Sequence, residues 1–317
     1  MFTRRSFIKT LAGAAAAFSI PALDSRAAST EETRLLMGTF VSIRTAHAPD
    51  GLAAEAIARA FAEMARLEAL LSRHDGASAL CQLNASGILR DAPAELLTVT
   101  RASAAMLKLT QGAFDPTVLP VLNGMARHAG PSEMAELRSL VGMGNVSCSR
   151  SGISYARSGM AMSLDGIAKG YIADAAARVL QASGISNFLI NAGGDIVVHG
   201  TRADGTPWKA AVENPRKHLG QTGFPAVCSL HNRALATSGD YEAAASMGRS
   251  HIVNPFGKGH SSIASASVTA SDAMTADALA TALCIMPDPM AFIESIPGTA
   301  CCLVMHDGSV RLSSRWA

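Results

Sequence analysis

The stretch Thr275-Ala276-Asp277-Ala278-Leu279-Ala280-Thr281 places an acidic and a hydroxyl side chain four residues apart among small residues. On a helix, Asp277 and Thr281 lie one turn apart, so their oxygens leave the same face. A hard cation such as Mg²⁺ takes oxygen ligands and often joins one or two carboxylates to substrate phosphates. A helix that begins here would also direct free N–H groups toward an anion. The spacing fits a metal site against a diphosphate, and it also fits a capped or solvated helical turn.

Outward from this stretch, apolar periodicity and turn residues predict the other elements. A strand over 39–44 opens the sheet, helices cover 50–71, 93–111, 133–141 and 171–181, and strands cover 188–190, 196–198, 301–305 and 310–312. Asp307-Gly308 predicts a hairpin between the last two strands. Antiparallel neighbouring strands mixed with helices favour an α+β fold.

Two turns marked by glycine are candidate phosphate contacts. Gly193-Gly194 joins two predicted strands, but the sequence has no Gly-x-Gly-x-x-Gly or Walker lysine pattern, so a hairpin turn is the favoured interpretation. Lys169 stands at a helix entry between Gly166 and Gly170, where a cation beside free N–H groups suits a phosphate or a flavin carbonyl. A solvated lysine is the alternative.

The histidines and cysteines lack the spacing of a zinc site or a catalytic triad. His251 precedes Asn254-Pro255 at a predicted strand-to-turn junction, where a partly exposed imidazole can act as a general acid or base. A plain loop histidine is the alternative. Cys301 and Cys302 are adjacent in an apolar segment, so on a strand they would point to opposite faces and lie in the core.

The first residues are typical of an export signal. Paired arginines stand within residues 3–9, an apolar run covers 10–20, and small residues around Ala27 suit cleavage. The apolar run is too short to cross a bilayer as a helix. We therefore predict a twin-arginine signal over 1–27, a mature domain over 28–317 and a periplasmic location. A basic N-terminus followed by an Ala-rich helix is the alternative.

Charge and size narrow the class of protein. Removing residues 1–27 takes away four basic residues and one acidic residue, so the formal charge falls from +2 to about −1. A nearly neutral chain argues against a nucleic-acid partner. The remaining length and apolar content suffice for a sizeable core, and we predict one domain with two lobes. The lack of a cysteine near the cleavage region argues against a lipid anchor.

Eight short motifs follow one another in a fixed order along residues 28–317. They are Met37-Gly38-Thr39, Leu71-Ser72-Arg73-His74, Gly112-Ala113-Phe114-Asp115-Pro116-Thr117, Leu164-Asp165-Gly166-Ile167-Ala168-Lys169-Gly170, Asn191-Ala192-Gly193-Gly194-Asp195, Ala236-Thr237-Ser238-Gly239-Asp240-Tyr241, His251-Ile252-Val253-Asn254-Pro255 and Ala276-Asp277-Ala278-Leu279-Ala280-Thr281-Ala282. In this order they resemble the ApbE family, the FAD:protein FMN transferases. The resemblance extends over essentially the whole mature chain.

The resemblance implies an α+β fold, as a single two-lobed domain of mixed and antiparallel sheets flanked by helices. It implies an enzyme that uses Mg²⁺ and FAD, cuts the FAD diphosphate, moves FMN onto a threonine hydroxyl of a partner protein and releases AMP. For the metal it implies three ligands: the side chains of Asp277 and Thr281, and a backbone carbonyl in the turn before Lys169, that of Gly166.

The resemblance also implies a set of flavin contacts. By position these are Met37, His74, Ala113, Phe114, Asp115, Ser163, Asp165, Lys169 and Ile252. Three positions differ from the family's pattern: His74 stands where Tyr is common, Ser163 stands where Asp is common, and Asn254 replaces an Asp in a His-x-x-Asp-Pro pattern. We expect His251 to take the threonine proton, because an unperturbed imidazole titrates near neutral pH.

For the partner, the resemblance implies a threonine-containing redox flavoprotein at the membrane. The twin-arginine form without a lipid anchor resembles the family branch linked to nitrous-oxide respiration. Two alternatives use the same pocket: an FAD pyrophosphatase, in which water replaces the threonine, and a periplasmic protein that binds or delivers FAD without chemistry. The Asp277 and Thr281 pair favours an enzyme, because a pure binder needs no metal at the diphosphate.

Overall fold

The computed structural model describes residues 29–215, 223–239, 253–255 and 261–316. The predicted signal over 1–27 and the predicted site residues His251 and Ile252 lie outside this part of the chain. Within these ranges, none of the helices has the length and apolar content that crossing a membrane requires.

Helices and strands alternate irregularly along the described chain. The strands are Ser29–Leu36 (β1), Thr39–Ala46 (β2), Ile88–Arg90 (β3), Val146–Ser149 (β4), Gly152–Tyr155 (β5), Phe188–Ala192 (β6), Asp195–His199 (β7), Trp208–Ala211 (β8), Val227–Leu230 (β9), Arg233–Gly239 (β10), Ile263–Ala270 (β11), Ala300–Met305 (β12) and Val310–Leu312 (β13). The helices are Asp50–Leu71 (α1), Ala79–Ser86 (α2), Ala94–Leu109 (α3), Leu119–Ala126 (α4), Pro131–Ser139 (α5), Ala168–Ala182 (α6), Ala273–Leu283 (α7) and Pro289–Ser295 (α8).

One large antiparallel sheet organises the fold. Its eight strands follow the order β1-β2-β6-β7-β10-β11-β12-β13, and each neighbouring pair is antiparallel. Two small sheets, β3-β5-β4 and β8-β9, complete the strands of the described chain. This arrangement of helices around antiparallel sheets confirms the predicted α+β class.

The main core lies between one face of the large sheet and the helices α1, α6 and α7. The predicted apolar stripe of α1 is buried, and this helix packs against α6. Val41 and Ile43 of β2 enter the same core from the sheet. Cys301 and Cys302 are both buried but belong to separate apolar clusters, which confirms that adjacent strand residues here face opposite sides of the sheet.

Two elements differ from the sequence prediction. The strand that begins at Thr39 does not open the sheet, because β1 precedes it as an edge strand with mostly exposed, polar residues. The short helix α2 was not predicted, since eight residues give little periodicity. Its ends are nevertheless well defined: Ser78 Oγ accepts a hydrogen bond from the N–H of Cys81, and Gly87 ends the helix with a φ of 73°.

The helices α6 and α7 approach each other closely. A Cβ added at Gly170 would lie 2.2 Å from the carbonyl oxygen of Ala273 and 2.7 Å from the nitrogen of Met274. Both oxygens of Asp174 accept hydrogen bonds from α7, at 2.9 Å from the N–H groups of Ala273 and Met274. Asp272 accepts another from Thr275 at 2.8 Å. The prediction that these N–H groups face a substrate anion is therefore wrong, because two carboxylates already bind them.

We expect Gly170→Ala to destabilise the protein, because the added methyl group overlaps the backbone of α7. Overpacking of this kind lowers the free energy of unfolding by about 1–3 kcal/mol. Denaturant unfolding measures the change. The matched control is Gly51→Ala in α1, where a Cβ has no neighbour within 4 Å and the exchange raises stability by about 0.4–1 kcal/mol. Equal stability of the two variants would contradict the close helix contact.

Asp174 links stability to pH. Burial raises the pKa of its carboxyl from 3.8 to about 6, although the N–H groups of Ala273 and Met274 lower the pKa. The folded protein therefore holds this proton more tightly than the unfolded chain does. The resulting stabilisation is complete below pH 3.8 and is lost as the pH rises through about 6. It amounts to about 3 kcal/mol.

Asp174→Asn should remove this pH-dependent contribution. We expect the free energy of unfolding of the wild type, minus that of the variant, to fall between about pH 4 and pH 7, as measured by urea unfolding at each pH. If the Asn side chain caps α7 less well than Asp174 does, the difference changes by the same amount at every pH, and its slope against pH is unchanged. In the control Asp204→Asn the difference should stay flat over this range, because hydrogen bonds from Thr206 lower the pKa of Asp204 below 3.8 and the carboxyl is ionised in both the folded and the unfolded chain. A flat difference for Asp174→Asn would refute the assignment.

Candidate active site

Three parts of the chain enclose a cavity of about 380 Å³ beside the start of α6. The turn between β1 and β2, the end of α1 with the residues after it, and the entry of α6 form its wall. The wall residues are Met37, Gly38, Glu68, Leu71, Ser72, His74, Asp165, Ala168, Lys169 and Ile172. This volume is in the usual range for a small-molecule site.

The structure brings four predicted flavin contacts together on this wall: Met37, His74, Asp165 and Lys169. Lys169 lies inside the first turn of α6, which begins earlier than predicted. Sequence reasoning missed Glu68, Ser72, Ala168 and Ile172 as wall residues, and placed Leu71 only in the core. The sequence offers only one weak indication for these residues: each lies in, or within four residues of, a predicted contact or motif.

Ser163 stands behind the wall and supports it. Its Oγ accepts a hydrogen bond from the N–H of Asp165 at 3.2 Å, and its own N–H donates to the carbonyl of Pro116 at 2.8 Å. The Asp165 carboxylate also accepts a hydrogen bond from Arg73 Nε at 2.5 Å. These contacts fix the loop that leads into α6.

Ala113, Phe114 and Asp115 are not part of this wall. Asp115 accepts hydrogen bonds from the N–H and the hydroxyl of Thr117, at 2.8 and 2.6 Å, and one from the N–H of Met143 at 3.3 Å. Burial raises the pKa of Asp115, and these hydrogen bonds lower it. The carboxylate therefore holds local backbone structure, and flavin contact by the three residues stays a prediction.

The predicted metal ligands converge at the junction of α6 and α7. Asp277 is only 3% exposed, and its Oδ2 accepts a hydrogen bond from the N–H of Gly170 at 3.1 Å. A Cβ added at Gly166 would lie 2.7 Å from Thr281 Oγ1, so the Gly166 backbone contacts that hydroxyl. Thr281 Oγ1 also lies 3.0 Å from Ser238 Oγ of β10.

An ion pair stands beside these ligands. Lys169 Nζ lies 2.9 Å from Oδ2 of Asp195, which is fully buried at the start of β7. Sequence reasoning missed Asp195 as a site residue, although an acid directly after Gly193-Gly194 was a usable signal. The fold brings it to Lys169 by placing the β6–β7 hairpin behind α6.

The charges around Asp277 favour a cation. Burial raises the pKa of this carboxyl well above its usual value, and the charge of Asp195 raises it further, while Lys169 and the N–H of Gly170 lower it. Asp165 adds another negative charge. The site therefore holds more acid than base, and its carboxylate, hydroxyl and carbonyl oxygens are the donors that Mg²⁺ prefers. A side chain at Gly166 would clash with Thr281, so glycine at this position lets the loop approach the Thr281 hydroxyl.

His251 and Ile252 are outside the described residues, so the structure gives them no position. In the described ranges, no group of three or more His, Cys, Asp and Glu side chains has the geometry of a metal site. The candidate metal site therefore depends on one carboxylate, Asp277, together with hydroxyl and backbone oxygens.

Known proteins match this chain over most of its length. A family model described as the ApbE family matches residues 37–303. A protein named FAD:protein FMN transferase from Vibrio cholerae serotype O1 is 32% identical over 205 residues, 61% of each chain. One of the same name from Haemophilus influenzae is 30% identical over 216 residues, 62% of each chain. The match thus spans about three fifths of the length of these two curated relatives.

A solved structure has the same fold. It is described as the flavin transferase ApbE from Vibrio cholerae, with a TM-score of 0.76 and 27% identity, over 91% of this chain and 98% of that one. This agrees with the α+β architecture of helices around antiparallel sheets. The family match over residues 37–303 and the shared fold lead to one conclusion: the chain belongs to the ApbE family.

Proposed function

We propose that this chain is a Mg²⁺-dependent FAD:protein FMN transferase that modifies a threonine of an acceptor protein and releases AMP. The observation that carries the proposal is the convergence of Gly166, Asp277 and Thr281 beside the cavity that Lys169 lines. Gly166 stands between Asp165 and Ala168, which both belong to the cavity wall. The names of the relatives support the transferase class.

The oxygen donors at this junction would hold the metal. Asp277 and Thr281 would contribute side-chain oxygens, and Gly166 its backbone carbonyl. When bound, Mg²⁺ neutralises charge on the diphosphate oxygens and aligns them for phosphoryl transfer. Gly170 and Ser238 hold the two side-chain ligands in place through their hydrogen bonds.

The cavity wall suits the two chemical parts of the substrate. Met37, Leu71 and Ile172 offer apolar surface to the flavin ring, and the imidazole of His74 offers a flat face where the family has a Tyr. Lys169 places a positive charge on the cavity wall, where it can bind a phosphate. The wall thus orients the diphosphate toward the metal donors.

In the proposed reaction, one bond to phosphorus forms and another breaks. The acceptor hydroxyl oxygen bonds to the phosphorus of the FMN half, and the bond from that phosphorus to the bridging oxygen breaks. AMP leaves with the bridging oxygen. We propose His251 as the base that takes the hydroxyl proton, because an imidazole side chain ordinarily titrates near neutral pH.

We also propose that the protein works in the periplasm. The support is the order of paired arginines, apolar run and small residues within 1–27. The acceptor we propose is a membrane-associated redox flavoprotein with an accessible threonine, and nitrous-oxide respiration is the proposed setting.

Asp277→Ala should abolish transfer. Purified protein is mixed with FAD, Mg²⁺ and an acceptor domain that carries a threonine flavinylation motif, and mass spectrometry measures the acceptor. We expect a covalent FMN adduct in the wild type, and none after EDTA or in the variant. A matched pair tests the hydroxyl ligand: Thr281→Ser keeps it and should retain activity, whereas Thr281→Val removes it and should lose at least about tenfold, the scale of one lost charge-assisted contact.

Each other outcome selects one alternative. AMP and free FMN without an adduct would support the FAD pyrophosphatase. Bound, unchanged FAD with two different acceptors would support the FAD-binding protein. An adduct that forms equally well in EDTA would contradict the proposed metal.

Met37→Asn should weaken FAD binding without loss of stability. Met37 and Gly38 form a tight turn with φ of 53° and 71°, a conformation that costs a non-glycine residue about 1–2 kcal/mol and that Asn tolerates better. That relief offsets the lost packing. Without the thioether on the wall, we expect the dissociation constant for FAD to rise about tenfold in a fluorescence titration. The control Met37→Leu keeps an apolar side chain and should bind FAD nearly as the wild type does.

A further inference from the structure

Asp195 is a buried charge with one counter-charge among the described residues. Its carboxylate has no exposed surface, and Lys169 Nζ lies 2.9 Å from Oδ2. Apart from this ion pair, neither oxygen accepts a hydrogen bond from the described residues. Burial of an ionised carboxylate with so little compensation is unfavourable, so its presence needs a reason.

The hairpin turn does not supply that reason. Gly193 and Gly194 adopt φ of 65° and 103°, and Asn191 Oδ1 accepts a hydrogen bond from the N–H of Gly194 at 2.9 Å. The backbones of Ala192 and Asp195 close the ladder between β6 and β7. The Asp195 carboxylate takes no part in these contacts.

Lys169 connects Asp195 to the site. Lys169 lies on the cavity wall and Asp195 does not, so Asp195 acts on the cavity through the lysine. The next residue, Gly170, donates its N–H to Asp277 Oδ2. This N–H belongs to the peptide bond between Lys169 and Gly170, so the lysine side chain leaves the backbone next to that carboxylate. A flexible four-carbon stem can carry the ammonium to either acid. Wherever the ammonium binds Asp277, it occupies an oxygen that a metal needs.

We propose that Asp195 is a positioning residue that holds the Lys169 ammonium away from Asp277 and so keeps the Asp277 carboxylate available for a divalent cation. The inference rests on the proposed function and deepens it. Lys169 and the cation then share the negative charge of the site without competing: the ammonium neutralises Asp195, and the cation neutralises Asp277. Both positive charges remain beside the cavity for the diphosphate.

Direct metal binding tests the inference without turnover. Mn²⁺ is added to the full-length mature protein without nucleotide, and the electron paramagnetic resonance signal of free Mn²⁺ measures binding. We expect Asp195→Asn, which keeps the side-chain shape, to raise the Mn²⁺ dissociation constant roughly ten- to a hundredfold, because the released ammonium pairs with Asp277. The control Asp307→Asn removes a carboxylate from the hairpin at the far edge of the sheet and should bind Mn²⁺ as the wild type does.

A double variant separates positioning from a structural role. In Lys169→Met/Asp195→Asn the competing ammonium is gone, so Mn²⁺ affinity should return to within about threefold of the wild type, the scale of ordinary context effects. A purely structural role of Asp195 predicts that the double variant binds Mn²⁺ as poorly as Asp195→Asn. Circular dichroism and thermal unfolding of each variant identify a folding defect.

The outcomes distinguish the inference from the proposed function. Wild-type Mn²⁺ affinity in a folded Asp195→Asn variant would overturn the inference alone. Weak binding in both the single and the double variant would also overturn it, in favour of a structural role. A wild type that binds no Mn²⁺, while Asp277→Ala still transfers FMN, would overturn the proposed metal site and the inference with it.

Discussion

The contact between α6 and α7 is the constraint on which the candidate site depends. Gly170 has no side chain, so the backbone of α7 approaches until the N–H of Gly170 reaches Asp277. The same approach lets Asp174 bind the first N–H groups of α7. One helix contact therefore fixes the face of α7 that carries Asp277 and Thr281 relative to Lys169, and the loop at Gly166 contacts Thr281.

Local signals predicted the elements with long or distinctive patterns. The apolar stripe of α1 and the Asp307-Gly308 hairpin were predicted because each is decided within a few residues. The edge strand β1 was missed, since one of its sides needs no apolar residues and its pattern is mostly polar. The short helix α2 was missed because its stability depends on the Ser78 cap and on packing that a local pattern does not show.

The candidate site was predicted to a different extent at each position. Ordered motifs indicated Met37, His74, Asp165 and Lys169, and the fold brings them to one wall. The partnership of Lys169 with Asp195 was not visible in the sequence, because only the tertiary position of the β6–β7 hairpin joins them. Likewise, the N–H groups of α7 were expected to be free, and only the packed structure shows which carboxylates bind them.

The strand order of the large sheet has a consequence for folding and for binding of the proposed cation. β2 pairs with β6, and β7 pairs with β10, so the sheet closes long loops and joins the parts of the chain that carry the donors on α7 and those in the loop that enters α6. A cation that needs both sets of oxygens finds its site only in a chain whose central sheet is complete. Its binding energy then favours the finished fold over every partly folded form. Binding of a cation at the proposed site would therefore depend on the complete fold.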